Sequence, residues 1–166
     1  RKVDTLRAMD FEYGMLFLDP REFEKARVNV DQVVRDLARD LRTVPGMLRV
    51  DLRAELAPKA AAGDTIARRW LHALPPDLPV ALVATQQPYH YWTDFAHWRG
   101  TTHATHGSAH DYDTHVPIVF YGPPFRAGKH DGYTRVVDIA PTLARVLGVT
   151  PAERVDGVVL ESALKR

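Results

Sequence analysis

The sequence contains no cysteine, so disulfide bonds do not hold the fold together and thiols give no indication of the redox compartment. It also lacks an apolar stretch near the roughly 18 residues of a membrane-spanning helix, since the longest apolar runs, such as residues 116–121, have the length of a strand. No run of Lys or Arg exceeds two residues, and the formal net charge is +1. These absences favour a globular domain without a membrane span and without a nucleic-acid partner.

The 166 residues are enough for one domain with a sizeable core, and we expect residues 1–166 to form it. The spacing of apolar residues divides the chain into three parts. Residues 11–85 are predicted as strand, helix, strand, helix and strand, residues 86–115 as a long histidine-rich loop, and residues 116–166 as strand, helix and strand. Strands that alternate with helices indicate an α/β or α+β arrangement of layers, and we expect the α/β class with a sheet flanked by helices.

Individual elements follow from short patterns. Residues 11–18 form a nearly continuous apolar run, which predicts one buried strand that ends before Pro20. Residues 30–41 place valine and leucine at helical spacing behind a capping Asn29 or Asp31, which predicts an amphipathic helix. Further predictions are strands at 47–52, 80–85, 117–121 and 158–160, a loop at 56–63, and helices at 64–74 and 139–147, the last capped by Asp138.

Histidines are concentrated in the long loop. Six of the eight lie between residues 90 and 115: His90, His97, His103, His106, His110 and His115. Neutral imidazole is the commonest protein ligand of zinc, and on spacing alone His106 could pair with His103 or with His110 if the backbone turns tightly. The alternative is a set of surface histidines. Gly107 fits either a close backbone approach to a ligand or a simple turn.

The segment at the end of this loop has a more specific pattern. Residues 106–122 read His-Gly-Ser-Ala-His-Asp-Tyr-Asp-Thr-His-Val-Pro-Ile-Val-Phe-Tyr-Gly, after a lead-in of two threonines. Followed in order by residues 137–149 and 156–160, they resemble the C-terminal metal-site motif of the alkaline phosphatase superfamily. The most similar branch comprises bacterial periplasmic phosphatases related to type I phosphodiesterases and nucleotide pyrophosphatases. The close resemblance covers residues 99–160, and the ordered run of three motifs is specific.

The resemblance implies a central sheet flanked by helices, with a pair of zinc ions at the strand ends. In the family, one metal activates a serine or threonine nucleophile, and both stabilise charge on the transferring phosphoryl group. The histidine before Gly-Ser is a zinc ligand in the family, and by register this role falls on His106. The chain has three residues more than the family lead-in, so His103 is a second candidate ligand. His106 is preferred because it keeps the family's spacing to Gly107 and to residues 113–117.

Neighbouring residues have less definite roles. Asp113 and His115 are expected either to orient the ligand histidine or to anchor the loop before the next strand. His110 stands where relatives often carry tyrosine, so we expect it to be non-catalytic. The remaining polar and aromatic candidates each fit a structural role as well as a functional one: Tyr89, Tyr91 and Trp92 fit a substrate cleft or packing beneath the loop, and Arg68-Arg69 fits a solvated helix face better than a phosphate clamp.

Most of the metal site that the resemblance implies has no counterpart in this sequence. The only serines, Ser108 and Ser162, do not match the family nucleophile, so no catalytic residue is assigned. We therefore expect a C-terminal fragment of a larger phosphate ester hydrolase, secreted or periplasmic by family resemblance. The isolated chain is expected to be inactive and to bind zinc weakly or not at all, because catalytic zinc needs three protein ligands.

Two other functions remain open at this point. A stand-alone histidine-rich module without catalysis would bind zinc tightly and stoichiometrically. An interaction domain that keeps the hydrolase fold but lost the chemistry would expose an apolar patch or a dimer interface. Neither alternative accounts for the order of the three motifs, so the fragment of a hydrolase is preferred.

Overall fold

The structure is a computed structural model that describes residues 8–92 and 106–165. The chain divides into two units, Arg1–His115 and Val116–Arg166. No helix in the described ranges combines the length and the apolar character that crossing a bilayer would require.

The first unit is built around a four-stranded sheet in which every neighbouring pair is antiparallel. The strands are β1 (Met9–Glu12), β2 (Met15–Leu18), β3 (Met47–Leu52) and β4 (Val80–Gln86). Their order across the sheet is β1-β2-β4-β3, so β4 is an interior strand. The helices of this sheet region are α1 (Pro20–Ala26), α2 (Val30–Leu41), α3 (Arg53–Ala61) and α4 (Thr65–Ala73).

Two hydrophobic cores lie on opposite faces of the sheet. In one, Phe23 of α1 and Val34 of α2 pack with Leu82 of β4. In the other, Leu56 of α3 and Trp70 of α4 pack against β4 through Val80 and Val83. The interior strand β4 therefore contributes to both cores, and the predicted α/β arrangement of a sheet flanked by helices is confirmed.

The prediction of one strand over residues 11–18 is wrong. The run forms the hairpin β1–β2, with a two-residue turn at Tyr13 and Gly14 that have φ angles of 47° and 83°. Two consecutive residues with positive φ match the right-handed twist of a hairpin, which is why such turns join short antiparallel strands. The apolar character of the surrounding run conceals this turn in the sequence.

The predicted loop at 56–63 is also wrong, because helix α3 occupies most of it. Leu56 is completely buried in the second core, and Lys59 binds the Glu55 carboxylate one turn away at 2.7 Å. Pro58 lies inside this helix, where its missing N–H counts against helix formation. Tertiary burial of the helix face outweighs this local cost.

The predictions for α2, α4, β3 and β4 agree with the structure to within one residue at each end. Much of the loop predicted at 86–115 lies outside the described residues, and its described part contains a short helix, Asp111–Thr114. Helix α2 begins after Asn29, whose side chain accepts a hydrogen bond from the Gln32 N–H, and α4 is capped in the same way by Asp64. Strand β3 has the predicted bounds, and β4 extends one residue further than predicted.

The second unit is organised around Asp138. A 3-10 turn (Val136–Asp138) leads into helix Ile139–Leu147, and Gly148 ends that helix in the left-handed conformation, at φ 67°. Contrary to the prediction, the Asp138 side chain does not cap the helix. Its carboxylate instead accepts hydrogen bonds from the backbone N–H groups of Arg135 and Val158, at 2.8 and 2.9 Å. It thereby joins the start of the helix to the chain twenty residues later.

The strands predicted in the second unit are not formed among the described residues. Residues 117–121 and 158–160 have no regular secondary structure and form no ladder with described neighbours. Leu160 is held instead by its N–H, which donates to the Thr142 hydroxyl at 2.9 Å. Val119 and Tyr121 of the first segment face outward, 83% and 97% exposed. Ile118 and Phe120 between them are half-buried, and the Phe120 ring stacks on Phe125 at 4.9 Å.

Candidate functional site

The predicted motif lies at the carboxyl end of the interior strand β4. Ala109 is buried in the second core against this part of the sheet. The next residue, His110, holds the strand end directly, with its ring Nε2 2.8 Å from the Gln86 carbonyl oxygen. The motif is therefore fixed to the sheet at two consecutive residues.

A third attachment comes from helix α4. The Arg69 guanidinium donates to the Ala109 carbonyl oxygen at 2.8 Å and also forms an ion pair with Asp111. This contact lowers the pKa of the Asp111 carboxyl, chiefly through the hydrogen bond from Arg69. Arg69, predicted on a solvated helix face, is instead a structural anchor of the motif. The forty residues that separate it from Ala109 leave no local signal of this contact in the sequence.

The backbone around Gly107 is shaped by a turn. Gly107 has a φ of 102°, a conformation that residues with a side chain rarely adopt, while a Cβ added at this position would have no atom of the described residues within 4 Å. The backbone angle is therefore a sufficient reason for glycine at this position. This turn separates His106, which is exposed, from the anchored residues that follow.

Asp113 links two parts of the motif through a hydrogen bond. Its Oδ2 atom accepts a hydrogen bond from the Ser108 N–H at 2.8 Å, across the first turn of the short helix α5 (Asp111–Thr114). The hydrogen bonds from Ser108 lower the pKa of the Asp113 carboxyl, and the nearby His106 and His110 lower it further. The carboxylate is thus ionised and fixed beside the predicted ligand histidine.

The predicted site residues differ in how the structure places them. His106 and Asp113 line one pocket together. His115 follows helix α5, is exposed, and does not line this pocket; its backbone N–H donates to the Asp111 carbonyl oxygen at 2.8 Å. His103 lies outside the described residues. Within the described ranges, no group of three or more His, Asp or Glu side chains is placed to hold a metal ion.

The pocket beside His106 has a volume of about 260 Å³. Aromatic rings are prominent in its lining, and Tyr89, Tyr91 and Trp92 are among them. The packing interpretation holds for Trp92, which packs edge-to-face on Phe11 with ring centroids 5.1 Å apart. A substrate cleft lined by the three residues stays a prediction.

The inner side of the pocket is formed by the hairpin turn and by β4. A Cβ atom on Gly14 would lie 2.5 Å from the Ala84 carbonyl oxygen and 2.8 Å from Trp92 Nε1, so no larger residue fits between the turn and the pocket wall. The indole N–H of Trp70 donates to the Thr85 hydroxyl at 2.8 Å, which satisfies both buried polar groups. The wall is therefore packed and hydrogen-bonded on the side of the sheet.

Comparisons with known proteins give short sequence matches and a longer structural one. No protein-family model matches the chain. It is 47% identical over 45 residues to a calcium-transporting ATPase of Myroides odoratus, and 48% identical over 46 residues to alkaline phosphatase PhoD of Zymomonas mobilis subsp. mobilis. These matches cover 27% and 28% of this chain and 8% of the length of each relative.

The structural match extends over nearly the whole chain. Wild-type alkaline phosphatase PafA is similar with a TM-score of 0.64 and 18% identity, and a PafA variant with four substitutions with a TM-score of 0.69 and 17% identity. The similarity covers 92% and 96% of this chain but only 28% and 29% of those chains. This chain therefore spans less than a third of the length of PafA. It has the fold of part of alkaline phosphatase PafA, and the resemblance that its motifs predict is confirmed at the level of the fold.

Proposed function

We propose that this chain is the C-terminal part of a secreted or periplasmic phosphoric ester hydrolase, in which His106 supplies one ligand to a dinuclear zinc centre. The structural similarity to alkaline phosphatase supports the phosphoesterase origin. The whole enzyme acts on a phosphate ester, and the remaining ligands and the nucleophile come from other segments of its polypeptide.

The position of His106 is the observation that carries this proposal. Its side chain is exposed at a pocket located at the carboxyl end of an interior strand, next to a turn that Gly107 makes possible. The residues after it are anchored to the sheet by His110 and to α4 by Arg69. A metal ligand needs such a fixed backbone, because the geometry of the ligands determines the affinity for the ion.

The donor set around His106 fits one part of a zinc site. The His106 imidazole is a group that zinc binds. The Asp113 carboxylate accepts the hydrogen bond from the Ser108 N–H, so its proposed role is to hold the loop that carries His106 and not to bind the ion. Bound zinc would stabilise negative charge on the phosphoryl group during transfer.

The same donor set explains why we expect the isolated chain to be inactive. The described residues offer no cluster of three metal-binding side chains, and catalytic zinc sites have three protein ligands. Neither Ser108 nor Ser162 is proposed as a nucleophile. The Ser108 backbone is held by Asp113, and Ser162 lies in a 3-10 turn (Glu161–Ala163) of the second unit.

Two measurements on the purified chain test the proposal. An aryl phosphate assay with added zinc is expected to show no turnover, and turnover at ordinary enzyme rates would contradict the inactivity of the chain. Calorimetric titration with zinc is expected to show weak binding that His106→Ala weakens further. His72→Ala is the matched control, because His72 is an exposed histidine at the end of α4 and does not line the pocket. Equal effects of the two substitutions would exclude a specific ligand role for His106.

The interaction-domain alternative keeps one observation in its favour, namely the exposed apolar side chains of the second unit, such as Val119 and Tyr121. This alternative predicts that the longer natural protein binds no zinc. Metal analysis of that protein separates the two proposals, since two zinc ions per molecule support the hydrolase. The stand-alone metal-binding module is separated by the same calorimetry, because it requires tight stoichiometric zinc uptake by the isolated chain.

A further inference from the structure

Arg69 holds the motif that begins at His106 at two of its residues. Its Nη1 atom donates to the Ala109 carbonyl oxygen at 2.8 Å, and its Nη2 atom forms an ion pair with the Asp111 carboxylate. These two contacts lie on either side of His110, whose ring is bound to the end of β4 at 2.8 Å. Three consecutive residues of the motif are therefore attached to the first unit, two of them by Arg69.

The helix that carries Arg69 is itself fixed at both ends. At its start, Asp64 caps α4 and also pairs with Arg49 at 2.6 Å. At its end, the Arg53 guanidinium donates to two backbone carbonyl oxygens just beyond the helix, at 3.1 and 2.9 Å. Trp70, the residue after Arg69, is buried in the second core. The Arg69 side chain therefore extends from a helix that other parts of the first unit hold in place.

The motif transmits this attachment to the predicted ligand. The Asp113 carboxylate accepts the hydrogen bond from the Ser108 N–H at 2.8 Å, so the residues after Gly107 are linked to one another. His106 is exposed and is separated from these linked residues by the turn at Gly107 alone. The placement of the His106 backbone therefore depends on how the residues after the turn are attached.

The two contacts of Arg69 require the fork of a guanidinium group. They use separate nitrogen atoms, one directed at a carbonyl oxygen and one at a carboxylate. Lysine has its charge on a single ammonium group at the end of a flexible stem, so it cannot reproduce this pair of directions. The Asp111 side chain is 88% exposed, which weakens its ion pair, and the bond to the Ala109 carbonyl oxygen is therefore the stronger constraint.

We propose that Arg69, through the two contacts of its guanidinium, is a positioning residue that orients the loop carrying His106 and thereby raises the zinc affinity of the whole enzyme. The inference rests on the proposed function, in which His106 is a zinc ligand. Arg69 acts through the backbone at Ala109 and needs no contact with the ion. A ligand on a fixed backbone loses less conformational entropy on binding than a ligand on a mobile loop, which is the source of the gain in affinity.

Backbone NMR relaxation of the isolated chain tests the positioning without zinc. The Ser108 and Ala109 amides are expected to have order parameters near the roughly 0.85 of a rigid backbone, and Arg69→Ala is expected to lower them toward about 0.6. The amides of β4 are expected to stay unchanged in the same variant. Arg68→Ala is the matched control, because Arg68 is the exposed neighbour on the same helix and carries the same charge. Unchanged order parameters in Arg69→Ala, or an equal decrease in Arg68→Ala, would overturn the inference.

The zinc affinity of the longer natural protein tests the consequence for the ligand. Competition with a chelator measures this affinity and requires no turnover. Arg69→Ala is expected to weaken it about three- to tenfold, less than the roughly 10–100-fold effect of losing a group bonded directly to a ligand, because Arg69 acts through the backbone. Arg68→Ala is expected to bind zinc like the wild type. An Arg69→Ala protein with wild-type zinc affinity would overturn the inference.

Arg69→Lys separates the geometry of the contacts from the charge. This variant keeps the positive charge and most of the stem, so it carries both measurements if Arg69→Ala fails to fold. We expect it to retain most of the loss in loop order and in zinc affinity, because one ammonium group cannot hold both Ala109 and Asp111. Full recovery of both quantities in Arg69→Lys would overturn the role of the guanidinium contacts.

The two proposals fail in different ways. A longer protein that binds no zinc would remove the hydrolase proposal, and the role of Arg69 toward the ligand would fall with it. A longer protein whose zinc affinity depends on His106 but not on Arg69 would leave the hydrolase proposal and remove the inference alone.

Discussion

The Asp113 carboxylate accepts a hydrogen bond from the Ser108 N–H at 2.8 Å and so closes the loop that follows His106. We expect Asp113→Ala to release this amide, because a hydrogen bond to a charged group is lost at a partly exposed site. The expected cost is about 1 kcal/mol, which corresponds to roughly fivefold faster hydrogen exchange of the Ser108 amide. Asp131→Ala is the control, since Asp131 is exposed and pairs with Lys129 on the surface. Exchange at Ser108 that does not change would show that Asp113 does not hold the loop.

Asp51 is the most buried charged residue among the described ones, with 1% of its surface exposed. Its carboxylate pairs with Arg49 at 2.7 Å and with Lys59 at 2.6 Å. Removing one member of a buried pair costs about 3–5 kcal/mol, and the partial exposure of both cations reduces this, so we expect Asp51→Asn to lower the free energy of unfolding by about 2 kcal/mol. Urea denaturation of the wild type and the variant measures this change in the free energy of unfolding.

The control for Asp51 is Asp40→Asn, which removes an exposed carboxylate that pairs with Arg39. Surface pairs contribute about 0–1 kcal/mol, so this variant is expected to unfold almost like the wild type. Equal stability losses in the two variants would contradict the structural role of the buried network.

Gly14 is expected to tolerate no side chain. Its φ of 83° already disfavours other residues, and an added Cβ would lie 2.5 Å from the Ala84 carbonyl oxygen. Gly63→Ala is the matched control, with a φ of 94° and no atom within 4 Å of the added Cβ. We expect Gly63→Ala to cost about 1–2 kcal/mol from the backbone alone, and Gly14→Ala to cost at least about 1 kcal/mol more. Thermal unfolding of the two variants checks this order, and a reversed order would refute it.

The Asp138 contacts should give the second unit a pH dependence in the acid range. Hydrogen bonds from the N–H groups of Val158 and Arg135 lower the pKa of Asp138 below the unfolded value of about 3.9. A lowered pKa in the folded state means that the stabilisation is complete above this unfolded value and is lost as the pH falls through the folded pKa.

Hydrogen exchange of the Val158 amide, corrected for the intrinsic effect of pH, measures this dependence. Protection is expected to be constant above about pH 5 and to decrease toward lower pH. In Asp138→Asn the decrease should disappear, because the side chain no longer titrates. A variant that retains the acid-dependent decrease would assign it to another group.

Elements with a strong local pattern could be predicted from the sequence. Helix α2 follows from apolar spacing and the Asn29 cap, and β3 follows from alternation, because burial of one face leaves a period in the sequence. Helix α3 could not be predicted, since its stability comes from the burial of Leu56 in a core assembled from distant segments. The hairpin turn at Gly14 is hidden in the sequence because the nearly continuous apolar run over residues 11–18 continues across it.

In the candidate site, too, the local arrangement could be predicted from the sequence, whereas contacts between distant segments could not. The motif register places His106 and Asp113 near each other, and in the structure they line one pocket. The anchoring role of Arg69 and the hydrogen bond from the Tyr89 N–H to the Tyr112 hydroxyl depend on contacts between segments far apart in the chain. Such contacts have no spacing rule, so they become visible only in the folded protein.

The segment 116–121 also has a consequence for handling the protein. Val119 and Tyr121 are almost fully exposed, and the segment forms no ladder with described residues. An exposed apolar segment with free backbone groups can pair with other chains, and Pro117 protects only its first part. The isolated chain is therefore expected to self-associate as its concentration rises, with sedimentation velocity showing larger species that Val119→Lys would suppress.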